Sequence, residues 1–170
     1  MNENKINILK DRAQKAAKIE QTHIKQDGID MLHFRLGDEY YAIDSALVSE
    51  VYPKVSLTQV PYTPSFIKGI FHIRGRFVSI VDTKEFLGIK KEESKSKELI
   101  ILLSYDNMEF GIEIDEVIGQ LIITLKDLKN IPVDLELPKS DLIQGINTQG
   151  VIVLNAKKFI QCEEMSIDIN

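Results

Sequence analysis

The chain has 170 residues, 44% of them hydrophobic, and a net charge of −5 at pH 7. A chain this long buries roughly 70% of its unfolded surface and supports one sizeable domain or two small fused ones, while its single cysteine, Cys162, excludes an intramolecular disulfide. The acidic balance weighs against a nucleic-acid partner, which calls for a basic face, and no apolar run approaches the about 20 residues of a membrane helix.

Direct membrane insertion is therefore not expected. Met1–Lys10 lacks the apolar core of a signal peptide, and a reducing cytoplasm is the expected compartment. Residues 1–28 differ from the rest. They are rich in Lys, Gln and Ala, and Ile8, Leu9, Arg12, Ala13, Ala16 and Ile19 recur near helical spacing, which predicts a polar, weakly amphipathic helical leader ended by Asp27-Gly28. From Met31 the period becomes twofold: Leu32, Phe34 and Leu36 face one way, His33 and Arg35 the other. Gly37-Asp38 suits a two-residue hairpin turn with a positive first φ. "SALVSEVY" is a short element stopped by Pro53, and Pro61 and Pro64 hold the following loop extended.

"GIFHIRGRFVSIVD" (69–82) reads as a hairpin with Arg74-Gly75-Arg76 at its tip. In "DTKEFLG" the N-cap Asp82, Glu85 three residues on and Gly88 describe a helix of one or two turns. Lys90–Lys97 is a charged loop, and "ELIILLSYDNMEFGIEID" is again two strands, turning at Asp106-Asn107. The second half echoes the first. Tyr41-Ala42-Ile43-Asp44 aligns with Phe110-Gly111-Ile112-Glu113 and brings Val48 onto Val117; Gly69, Val78, Asp82 and Phe86 align with Gly145, Val151, Asn155 and Phe159. This internal duplication predicts two small barrels, roughly 32–86 and 99–160, sharing strands and a core within a domain of residues 29–170, with a last helical segment that includes Cys162.

Catalytic chemistry is sparse. His23, His33 and His72 have no companion at metal-ligand spacing, and neither a phosphate-cradling Gly-rich loop nor a nucleophile elbow is present. Neither metal nor cofactor is expected, and carboxylates at strand ends serve more often as caps than as catalytic pairs. What remains is surface. Arg74 stands on a turn, where a guanidinium both pairs with carboxylates and stacks on apolar groups. Glu50 sits on a short strand among apolar neighbours, and Gly69 permits the close approach of another backbone.

"FRLGDEYYAID", "VSEV", "TPSFIKGIFHIRGRFVSIVDTKEFLG", "FGIEIDEVIG" and "LIQGINTQGVIVLNAKKFI" stand in the order and spacing of the CheW family of chemotaxis coupling proteins, which the chain resembles from about Phe34 to Ile160. The resemblance implies an all-β fold of two intertwined five-stranded SH3-like barrels with short helices, here with an N-terminal helical extension and a C-terminal helix. It also implies a non-enzymatic adaptor that binds the cytoplasmic tip of a methyl-accepting chemoreceptor and the regulatory domain of a CheA-type histidine kinase, recruited to membrane-associated receptor arrays. Carried over residue by residue, the receptor contact falls on Val48, Glu50, Gly69, His72, Ile73 and Arg74; the kinase contact is not assigned to residues. The chain departs from the family pattern at His72-Ile73-Arg74-Gly75, where N-L-R-G is usual, and at Ser79 and Thr83. Those departures leave a specialised, non-flagellar kinase array as an alternative setting. From a different class, a small-barrel nucleic-acid module would need exposed aromatics on a basic face.

Overall fold

The computed structural model describes residues 28–90, 98–131 and 139–162. The expected helical leader, most of the 90–97 loop and everything after Cys162 lie outside the described residues. Ten strands form two five-stranded sheets. In chain order they are β1 (Ile29–Leu36), β2 (Glu39–Asp44), β3 (Val48–Pro53), β4 (Ile67–Ile73), β5 (Arg76–Val81), β6 (Leu99–Tyr105), β7 (Met108–Ile114), β8 (Glu116–Ile123), β9 (Ile143–Ile146) and β10 (Ile152–Leu154). Two five-residue helices, α1 (Thr83–Leu87) and α2 (Ala156–Ile160), follow β5 and β10.

One sheet runs β8-β1-β2-β10-β9 and the other β3-β6-β7-β5-β4. If β6 to β10 are read as copies of β1 to β5, either order becomes the other. The registers agree: Ile152 and Val153 of β10 lie beside Tyr41 and Ala42, as Ser79 and Ile80 of β5 lie beside Phe110 and Gly111, both in parallel. Asp82 caps α1 by accepting the Glu85 N–H at 3.0 Å, and Asn155 caps α2 by accepting the Lys158 N–H at 3.1 Å. Because β3 and the β4–β5 hairpin leave the sheet of β1 and β2, the stretches 32–86 and 99–160 interlock instead of closing separately.

Each sheet is closed by a strap. Thr58 bridges Ile70, and Lys129 bridges Ile146. At these crossings stand Gly69 (φ 148°) and Gly145 (φ 157°). A Cβ there would lie 2.5 Å from Thr58 O and 2.9 Å from Lys129 O, so only glycine admits the strap.

Burial follows the same plan. Phe34, Tyr41, Ile101, Phe110, Ile112 and Phe159 belong to a large shared core between the sheets, where Phe159 stacks on Phe110 with centroids 5.7 Å apart. Met31, Ala42, Ile123, Val151 and Val153 form the smaller interior of one barrel; Ile73, Val78, Ile80, Ile100 and Leu102 form that of the other. β8 follows β7 after the single residue Asp115, where no Gly or Pro announces a break. One sequence expectation needs correction. Cys162 lies beyond α2 and packs, half-buried, against the shared core rather than within a helix.

Candidate functional site

Glu50 lies on β3, the edge of its sheet, just after a register shift between Val48 and Glu50. Along β3, half-buried Glu50 and Tyr52 alternate with exposed neighbours, which puts the two on one side, while the shift turns Val48 to the shared core. Arg74 reaches Glu50 from the β4–β5 turn. Both turn residues have positive φ, 49° at Arg74 and 78° at Gly75, the twist that a two-residue hairpin requires. At a non-glycine residue this backbone costs about 1–2 kcal/mol, so Arg74 occupies a position that its own conformational preference does not favour.

The guanidinium grips the carboxylate with two prongs, Nη1 to Oε1 at 2.7 Å and Nη2 to Oε2 at 3.2 Å. The Tyr52 hydroxyl donates to the same Oε2. That hydrogen bond, followed by burial and the Glu50 charge, pushes the phenol pKa up, so the hydroxyl stays a donor. Tyr52 in turn packs edge-on to Phe71, centroids 5.7 Å apart. The carboxylate is thus held from both sides, while the arginine side chain remains 69% exposed. An ion pair this open contributes about 0–1 kcal/mol to the fold; it is placed at the rim, where an incoming surface can meet it.

The other sequence-derived residues are not all gathered there. Ile73 is buried inside the barrel. His72 lies on the opposite side of β4 with its ring 4.9 Å from Phe77, which is 68% exposed. Val48 packs against the shared core. Gly69 stands five residues back along β4, about 17 Å from the turn, where it serves the strap. Two residues that sequence reasoning missed complete the rim: Tyr52, and Glu109, which pairs with Arg76 at 2.9 Å and whose charge reaches the Tyr52 phenol. Tyr52 was legible in principle, since it follows Glu50 by one strand period.

The duplicated barrel has no such pair. Gly119 stands opposite His33 as Glu50 stands opposite Leu102, and the turn of Asn147–Gly150 replaces Arg74-Gly75. A cleft of about 290 Å³ in the Arg74 barrel has apolar walls from Leu57, Ile80 and Ile100. On its rim Lys54 pairs with Glu98 and Lys68 with Glu113, so each carboxylate faces a lysine rather than the other carboxylate. Among the described residues no group of three or more His, Cys, Asp or Glu is placed to hold a metal, and no helix is long and apolar enough to cross a membrane.

Two interlocked barrels, one of which carries the Arg74–Glu50 and Arg76–Glu109 pairs at its rim, define the architecture. The CheW-like domain family model matches residues 30–164, and the chain belongs to that family. Among its relatives, the chemotaxis protein CheW of Thermotoga maritima is 31% identical over 134 residues, covering 78% of this chain and 87% of the relative. The chemotaxis protein CheW of Klebsiella aerogenes is 27% identical over 143 residues, covering 82% and 86%. The crystal structure of the scaffolding protein TtCheW from Thermoanaerobacter tengcongensis superposes with a TM-score of 0.69 at 27% identity, covering 78% of this chain and 87% of that one.

Proposed function

We propose that this chain is a non-enzymatic scaffold that couples methyl-accepting chemoreceptors to a CheA-type histidine kinase in the cytoplasm, held at membrane-associated arrays through those partners. Residues 29–170 are the coupling domain and residues 1–28 an appended leader. The observation that carries the reading is the Arg74–Glu50 pair, with Nη1 and Oε1 2.7 Å apart on an exposed hairpin tip. A receptor hairpin presents an apolar helical face with charges at its margins. Val48 and the surface around His72 and Phe77 supply apolar contact, and the guanidinium and carboxylate fix register at the rim. Ile73 supports the tip from inside the barrel, and Gly69 anchors its base. Reconstitution tests this. The purified chain, added to a receptor cytoplasmic fragment and a CheA-type kinase, is expected to bring both into one co-sedimenting assembly and to make kinase activity depend on the receptor; an assembly that forms equally well without the chain would refute it.

A further inference from the structure

The cleft of about 290 Å³ in the Arg74 barrel takes no part in the proposed coupling. Its floor of Leu57, Ile80 and Ile100 is apolar. Four charged groups stand around it, Lys54 paired with Glu98 on the more open side and Lys68 with Glu113 on the more enclosed one. The charges act together: Glu98 first, by its hydrogen bond and its charge, and then Glu113 push the Lys54 pKa up. Gln59 adds an amide that both donates and accepts. We propose that the cleft binds a small zwitterion with an apolar side chain, a free α-amino acid of the leucine type.

The duplicated barrel provides an internal comparison. It has a cleft of about 210 Å³ in the same place, with Ile29, Met31, Asp44 and Gln144 in its walls. By the aligned registers these are the counterparts of Glu98, Ile100, Glu113 and Lys68. There Asp44 accepts the Ala46 N–H at 2.9 Å and Lys157 stands over the Tyr105 ring, and among the described residues no lysine–carboxylate pair borders the cleft. The hollow therefore comes with the fold, whereas the paired charges belong to one barrel alone. Stability does not account for them. The Glu113 side chain is only 14% exposed, and an ion pair drawn this far from water recovers little of its desolvation.

Two cations and two anions around an apolar floor select a neutral ligand that carries both signs. A ligand with one charge would split a pair and strand a lysine or a carboxylate, whereas a zwitterion offers each member a new partner. Its side chain then covers Leu57, Ile80 and Ile100. At the lower end of the about 300–1,000 Å³ of small-ligand pockets, the cleft suits a ligand of this size and not one as large as a nucleotide. Leu57 and Gln59 also flank Thr58, whose N–H and carbonyl bridge Ile70 at 3.0 and 2.8 Å, so an occupied cleft braces the strap.

The test titrates the full isotope-labelled chain, followed by NMR, with L-leucine, with isocaproate, which lacks the ammonium, and with isoamylamine, which lacks the carboxylate. Leucine at about 10 mM, which fills a site of about 1 mM affinity, is expected to shift the amides of Leu57, Gln59, Lys68 and Glu113 and to slow hydrogen exchange at Thr58 and Ile70. Both analogues are expected to bind about 10-fold more weakly or worse, as is leucine to Lys68→Gln, each having lost one charge-assisted contact. That variant is expected to fold normally, since Gln144 already stands at the equivalent position. Equal binding of leucine and either analogue would overturn the zwitterion, and no shift with leucine in the wild type would overturn the site. Leucine shifts that persist unchanged in Lys68→Gln would overturn it as well, because the amino acid would then be bound elsewhere.

Discussion

The carboxylate of Asp115 takes the Nζ of Lys84 at 2.6 Å on Oδ1 and the backbone N–H of Gly37 at 2.7 Å on Oδ2. Asp115 is the single residue between β7 and β8, where the chain passes from one sheet to the other. Lys84 lies on α1, after β5, and Gly37 is in the β1–β2 turn. One side chain, only 3% exposed, therefore ties the two barrels together. Arg35 adds Nη1 at 3.8 Å from Oδ2, and the Asp115 N–H donates to Arg35 O at 3.1 Å.

Removing one member of a buried ion pair strands the other charge. Asp115→Ala is expected to cost about 3 kcal/mol and to lower the melting temperature by about 6–12 °C. Asp115→Asn, which still accepts from Gly37, should cost less. Thermal melts followed by circular dichroism check both; a loss for Asp115→Ala no larger than that of a surface substitution would show that the barrels do not depend on this tie.

The two strap crossings should behave alike. Gly69→Ala and Gly145→Ala each place a methyl group against a backbone carbonyl in an unfavourable φ region, and each is expected to destabilise by about 2–4 kcal/mol. Urea denaturation measures both, and a large cost at one position only would break the structural equivalence of the halves.

Tyr52→Phe removes the hydroxyl that tethers Glu50 and leaves the packing on Phe71 intact. The fold should keep its stability to within about 1 kcal/mol. Receptor binding should weaken about 5-fold, because the carboxylate then has to be ordered at the moment of binding. Titration calorimetry with a receptor fragment reads this directly.

His33 sets the pH response. Its ring lies 5.5 Å from that of Tyr40, its Nε2 is buried with no hydrogen-bond partner, and burial pushes its pKa below the ordinary 6.5. The unfolded chain therefore binds the proton more readily. The stabilisation is complete above about pH 6.5 and is lost as pH falls through the lowered folded-state value. Urea midpoints should drop between about pH 7.5 and about pH 5, and His33→Gln should flatten that drop; an unchanged slope would assign the response to other groups.

Much of this architecture was legible in periodicity and punctuation. The switch to twofold alternation at Met31, the turn pairs Gly37-Asp38 and Asp106-Asn107, and the caps Asp82 and Asn155 each have a local cause that acts in the same way wherever the chain is placed. The alignment of Tyr41 with Phe110 and of Gly69 with Gly145 carried further, because paired registers and strap crossings repeat with it. What stayed hidden was long-range. Nothing near Asp115 shows that the next residue enters the other sheet, and the Tyr52–Glu50–Arg74 chain forms only when β3 and the β4–β5 hairpin share a barrel. Arg74 stood out as an excess of chemistry on a turn, whereas the interior position of Ile73 and the strap role of Gly69 follow from pairing alone.

The most direct measurement is the affinity of wild type and Arg74→Ala for two partners in parallel, a receptor cytoplasmic hairpin and a CheA-type regulatory domain. The exposed pair contributes little to stability, so the variant should fold normally. The expected result is that wild type binds both partners, while Arg74→Ala loses about 30-fold or more in receptor affinity, about 2 kcal/mol, and keeps its kinase affinity. Equal receptor binding by wild type and variant, or no binding of either partner by the wild type, would contradict the coupling role assigned to this hairpin.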